Sequence, residues 1–125
     1  MTYSIKEAAE RMGVTTHTLR YYDREGLLPH VERTAGGIRR FSQEDLDGLA
    51  LINCLKATGM SIRQIKDFLD LSQQGDETLD ERRAILRRQR ERILAGMEQM
   101  QEHLERVERK IAYYDTRARE REQGK

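Results

Sequence analysis

One cysteine, one proline and no tryptophan occur in 125 residues, and phenylalanine appears only twice. A lone cysteine excludes an internal disulfide and leaves too few soft ligands for an all-protein zinc site. No apolar run approaches the roughly 20 residues needed to cross a bilayer. The start, Met-Thr-Tyr-Ser-Ile-Lys, lacks the apolar core of a secretory signal, so a cytoplasmic protein without membrane contact is expected. Hydrophobic residues make up 37% and charged residues 36%. That is lean for a large self-contained core and suits a small head followed by a helix that buries a seam on a partner. An excess of charge is missing too. The net charge is +1, so global charge says nothing about nucleic acid. No nucleophile, base and orienting group cluster together, so neither an enzyme nor a cofactor is expected.

What is present is a stretch from Ala9 to Leu28 with helix-turn-helix spacing. Ala9 lets two helices approach closely, and Gly13 can take a turn conformation that costs any residue with a Cβ. Val14 and Leu19 plug the angle between the helices, and Thr15 can cap the second. Thr16, His17, Arg20 and Tyr21 then lie on its outer side, a donor-rich face of the kind that enters a major groove. Tyr21 and Tyr22 are adjacent and cannot share a face. One should meet a backbone phosphate and the other pack inward, so both remain candidates. The local charge agrees. Residues 1 to 41 carry seven basic and five acidic side chains, and Arg33 to Arg40 contains three arginines and no acid. Residues 42 to 77 hold three basic groups against seven acids. Phosphate contacts must therefore come mainly from the first third.

Four helix starts carry a capping-box signal: Ser4 with Glu7, Ser42 with Asp45, Ser61 with Gln64, and Thr78 with Glu81. They place helices at about 4–12, 15–25, 42–58 and 61–74, with Gly26, Gly59 and Gly75 as stops. Ile5, Ala8, Ala9 and Met12 should face inward from the first. The third should turn Leu46, Leu49, Ala50, Asn53 and Cys54 inward, and the fourth presents Ile62, Ile65, Phe68, Leu69 and Leu71. Between the second and third, the runs 31–34 and 38–41 flank Ala35-Gly36-Gly37 and read as a hairpin, hence a wing. Arg39 and Arg40 alternate across its second strand, so at most one points squarely at DNA, with Arg39 favoured.

From Leu79 the apolar spacing changes to alternating steps of four and three. Leu79, Leu86, Ile93, Met100, Val107 and Tyr114 fall on one heptad position, and Arg83, Arg90, Met97, Leu104, Ile111 and Ala118 on the other. Ten of these twelve are apolar, a specific coiled-coil signal. The two exceptions come first, so the dimerisation seam should begin near Ile93 and run through Met97, Met100, Leu104, Val107, Ile111 and Tyr114. Gly96 is a soft point, costing about 1 kcal/mol against alanine. The flanking charges suit more than one helix orientation. The fold expected is mainly α: a winged helix-turn-helix head over 1–76, a long C-terminal coiled-coil dimerisation helix over 77–120, and a frayed tail over 121–125.

Three motifs carry a resemblance: Thr-Leu-Arg-Tyr-Tyr-Asp-Arg-Glu-Gly-Leu-Leu (18–28), Gly-Gly-Ile-Arg-Arg-Phe-Ser-Gln-Glu-Asp-Leu (36–46) and Thr-Gly-Met-Ser-Ile (58–62). Over residues 3 to 118 the chain resembles the MerR family of transcription regulators, in a short form without a C-terminal effector domain. Where the family's wing often has tyrosine before its arginine, Ile38 stands here. The resemblance implies a homodimer held by an antiparallel coiled coil on a palindromic operator. That operator would lie in double-stranded promoter DNA with a long spacer, bent and untwisted so that RNA polymerase reads both elements. It also implies a backbone contact from Lys56. The segment Cys54-Leu55-Lys56-Ala57-Thr58-Gly59-Met60 is similar to that holding the cysteine of the aldehyde- and nitrosative-stress-responsive AdhR/NmlR-like subgroup, which makes Cys54 the candidate effector-sensing residue. Two other classes fit the same residues: an architectural or excisionase-like factor that bends DNA without sensing, and a helical assembly protein. The last predicts tolerance of Arg20→Ala.

Overall fold

The computed structural model describes residues 1–124. Its elements are α1 (Ile5–Met12), α2 (Thr16–Arg24), β1 (Glu32–Arg33), β2 (Arg39–Arg40), α3 (Gln43–Ala57), α4 (Ile62–Gln73), a 3-10 turn (Gly75–Thr78) and α5 (Leu79–Gln123). The chain divides into two compact units, Met1–Leu86 and the remainder from Arg87.

The helix starts follow their caps. Ser4, Ser42 and Ser61 each accept from the backbone N–H three residues on, and Glu7, Asp45 and Gln64 return the bond to the cap residue's own N–H. The Ser4 backbone bond, then its hydroxyl, hold the Glu7 carboxyl below its usual range. Thr15 caps α2 through Thr18 N–H at 3.1 Å. Gly13 closes α1 at φ 69°, where a Cβ would be strained. The fourth expected box does not form. The Thr78 hydroxyl is buried and donates to the Leu71 carbonyl at 2.5 Å, and it accepts from Arg82 Nε at 3.0 Å. Thr78 therefore ties the end of α4 to the start of α5 instead of capping a free helix.

The first unit is built round Leu19, Phe41, Leu46, Leu49 and Ile65, all fully buried. Ala8 and Ala9 are buried where α1 meets α2, so small side chains there permit the close crossing. On α3 the buried set is Leu46, Leu49, Ile52 and Leu55, whereas Ala50 and Cys54 are exposed and Asn53 is half-buried. The inward stripe thus winds round the helix, because α3 packs on α1 and also on α4. Apolar residues lie on most sides of α3, so its spacing alone cannot choose the stripe.

The hairpin forms with Glu32 opposite Arg40 and Arg33 opposite Arg39. Its turn is closed by Gly37 N–H to the Thr34 carbonyl at 2.9 Å, with Gly37 at φ 82°. A feature absent from the sequence reading extends it. Tyr3 bridges Phe41, exchanging both backbone bonds at 2.7 and 2.8 Å, which anchors the chain's start beside the wing.

The first unit reaches Leu86, past residue 76, because buried Thr78 and half-buried Ile85 belong to its packing. Helix α5 has 45 residues, about 68 Å at 1.5 Å each, and passes unbroken through Gly96. The helix is assigned through Gln123, into the 121–125 segment expected to fray, while Lys125 lies outside the described residues. Met97, Met100, Leu104, Val107, Ile111 and Tyr114 are exposed in the single chain, and Ile93 is half-buried.

Candidate nucleic-acid interface

Helix α2 is amphipathic by residue. Leu19 and Tyr22 point into the core, while His17, Arg20 and Tyr21 face solvent and Thr16 is half-exposed beside them. Arg20 reaches back to the Thr16 hydroxyl at 3.5 Å and forms no ion pair among the described residues, so its guanidinium has donors left for a ligand. The two tyrosines separate as expected. Tyr21 is 36% exposed and Tyr22 only 4%. The Tyr22 hydroxyl donates to Asn53 Oδ1 at 3.1 Å, joining α2 to α3. Burial, then the neighbouring Tyr21, push the Tyr22 phenol above its ordinary pKa, so it remains a donor. Tyr22 is therefore removed from the DNA-contacting set. Tyr22→Phe is expected to cost about 1 kcal/mol in chemical denaturation, because one hydrogen bond is lost and Asn53 keeps access to solvent. Its DNA affinity should stay near that of the parent. A tenfold loss of affinity would return Tyr22 to the interface.

The wing departs further from expectation. Arg39, the favoured contact, is turned onto α2. Its Nε donates to Asp23 Oδ2 at 3.1 Å, an NH2 donates to Oδ1, and NH1 donates to the Val31 carbonyl at 2.6 Å. With its fork filled and its side chain 20% exposed, Arg39 fixes the wing rather than reaching outward. The reason is geometric: a planar guanidinium matches a carboxylate bidentately, and Asp23 stands on the helix facing the strand. Arg40 donates to the neutral hydroxyl of Thr2, at 3.1 and 3.0 Å, stands opposite Glu32 in the hairpin and acts on the Glu7 carboxyl without a direct ion pair, so among the described residues its fork is freer than that of Arg39. Arg33, which sequence reasoning noted only as charge, lies 3.5 Å from Asp23 and donates to the Gly37 carbonyl at 3.0 Å. The missed residue is Asp23. Its signal was available: an acid on the recognition helix followed by an arginine-rich hairpin with no acid between Arg33 and Arg40.

Lys56 is exposed in the last turn of α3, and Cys54 is exposed two residues before it. Among the described residues no group of three or more His, Cys, Asp or Glu is placed to hold a metal ion. Nor, among the described residues, is any helix long and apolar enough to cross a membrane.

A recognition helix held against a core by Leu19 and Tyr22, with a basic hairpin braced to its side, defines a winged helix-turn-helix DNA-binding protein. The family profile for MerR HTH family regulatory proteins matches residues 3–72, and that for MerR DNA binding matches residues 46–107. The chain belongs to the MerR family of transcriptional regulators, which are not enzymes. It is 42% identical over 114 residues to an uncharacterized HTH-type transcriptional regulator of Haemophilus influenzae, covering 91% of this chain and 84% of that one. To the HTH-type transcriptional regulator AdhR of Bacillus subtilis it is 37% identical over 91 residues, covering 73% of this chain and 65% of that one. Among solved structures it is similar to HiNmlR, a MerR family regulator lacking the sensor domain, bound to promoter DNA. The TM-score is 0.87 at 41% identity, covering 93% of this chain and 92% of that one.

Proposed function

We propose that two copies of this chain pair through α5 as an antiparallel coiled coil and grip a palindromic promoter operator. They would bend and untwist its long spacer in the cytoplasm, so that RNA polymerase engages both promoter elements. The observation that carries this reading is Arg20, without an ion pair among the described residues, on the outer face of an otherwise anchored α2. Thr16, His17 and Tyr21 lie on the same helix as base or phosphate contacts, with Arg40 and Lys56 as contacts to the backbone. The exposed run Met97, Met100, Leu104, Val107, Ile111 and Tyr114 supplies the pairing seam, with Ile93 at its start.

Cys54 adds an effector. Its thiol is exposed and free, next in sequence to Asn53, which receives the Tyr22 hydroxyl from the recognition helix. Addition of an electrophile at Sγ would place new bulk one residue from that link. In vitro transcription from the promoter beside its own gene, with and without formaldehyde or methylglyoxal, tests both parts. Native protein is expected to change its output with aldehyde, and Cys54→Ser is expected to bind the promoter equally but not to respond. Equal output from both proteins under all conditions would end the thiol reading. Binding without any effect on promoter opening would favour a purely architectural factor.

A further inference from the structure

Arg33 and Arg39 face each other directly across the hairpin. Like charges in that position repel, and here both converge on one carboxylate, Asp23. The trio carries a net charge of +1, and its members are not held alike. Arg39 engages both Asp23 oxygens and the Val31 carbonyl. Arg33 shares only Oδ2, at 3.5 Å, with its side chain 52% exposed, and its other contact is a carbonyl in the wing turn. Exposed pairs at that distance are weak, whereas a duplex phosphate offers a full charge to a guanidinium in reach.

We propose that Asp23 is a positioning residue that sorts the two wing arginines. It would lock Arg39 as the strut that sets the wing against the recognition helix, and leave Arg33 as a phosphate-contacting arm. The inference rests on the head gripping duplex DNA, and it adds two roles to that reading. The strut governs how well α2 and the wing engage one groove and its flanking backbone together, so it acts on selectivity. The arm acts on phosphate alone, so it acts on every sequence equally.

The test is binding of full-length protein to the promoter fragment beside its own gene and to a scrambled duplex of equal length, over a salt series. Arg33→Ala should weaken both duplexes alike and lower the slope of log K against log salt by about 1 per protomer. Arg39→Ala should leave that slope unchanged and cut the ratio between the two duplexes by about tenfold, the order of one lost base contact. Arg39→Lys, which keeps charge and bulk but not the planar fork, should lose selectivity in the same way if the alanine variant folds poorly. Asp23→Asn should lose selectivity too, while binding the scrambled duplex more tightly, because two cations lose their counter-charge. A general loss of structure would not give that opposed pair of effects. Equal slope reductions for the two arginines, or an Asp23→Asn protein matching the parent on both duplexes, would overturn the proposal. Indifference of the parent to either duplex would instead sink the DNA-binding reading beneath it.

Discussion

Replacing Leu104 and Ile111 together by glutamate is expected to yield a monomer that has lost roughly 10²- to 10⁴-fold in affinity for a two-half-site operator. Both side chains are exposed in the single chain. They lie on one heptad position of a helix whose apolar residues recur in steps of four and three. A 45-residue helix with that stripe and little else apolar is stabilised chiefly by a partner. Charges at two buried seam positions would face an apolar surface, or their own copies, at a cost of several kcal/mol. Paired heads bind the second half-site as an intramolecular event, and separated heads forfeit that gain. Sedimentation equilibrium and operator titration check the two halves of this expectation. A variant that keeps the dimer mass would remove the seam from α5.

Phe41→Ala is expected to destabilise the head by about 3–5 kcal/mol, a large part of what holds a small domain together. Phe41 is fully buried. Three things meet at it: β2 ends beside it, Ser42 after it caps α3, and its backbone exchanges both bonds with Tyr3. Removing the ring leaves a void where the wing, the chain's start and α3 join, and the backbone bonds on either side restrain its collapse. Denaturant titration reports the loss. A cost under about 1 kcal/mol would mean that the ring is replaceable by rearrangement and that the wing is anchored elsewhere.

Local signals read well. Ser4, Ser42 and Ser61 cap their helices because a hydroxyl and an acid or amide three residues apart can satisfy each other's backbone without help from the rest of the chain. Thr78 carries the same spacing and fails, because the Leu71 and Gly75 carbonyls compete for its hydroxyl once α4 and α5 are folded together. Leu19 was legible as inward, and Tyr21 and Tyr22 as inward and outward alternatives on α2, between which burial chose Tyr22 for the core. The stripe on α3 was misread at Ala50 and Cys54, since a helix packed by two neighbours shows no single apolar face. Arg39 was misread for a related reason: strand alternation gives a side, but not what stands on that side.

Composition, cap spacing, glycine placement and heptad period are properties of short windows. From them alone followed the mainly α winged head, the recognition helix with Arg20 outward, and the long helix needing a partner. The partition of the wing arginines, the Tyr22–Asn53 link and the Tyr3–Phe41 bridge join residues far apart in the chain. Those pairings depend on which side chains reach each other after packing, and no local pattern encodes that reach.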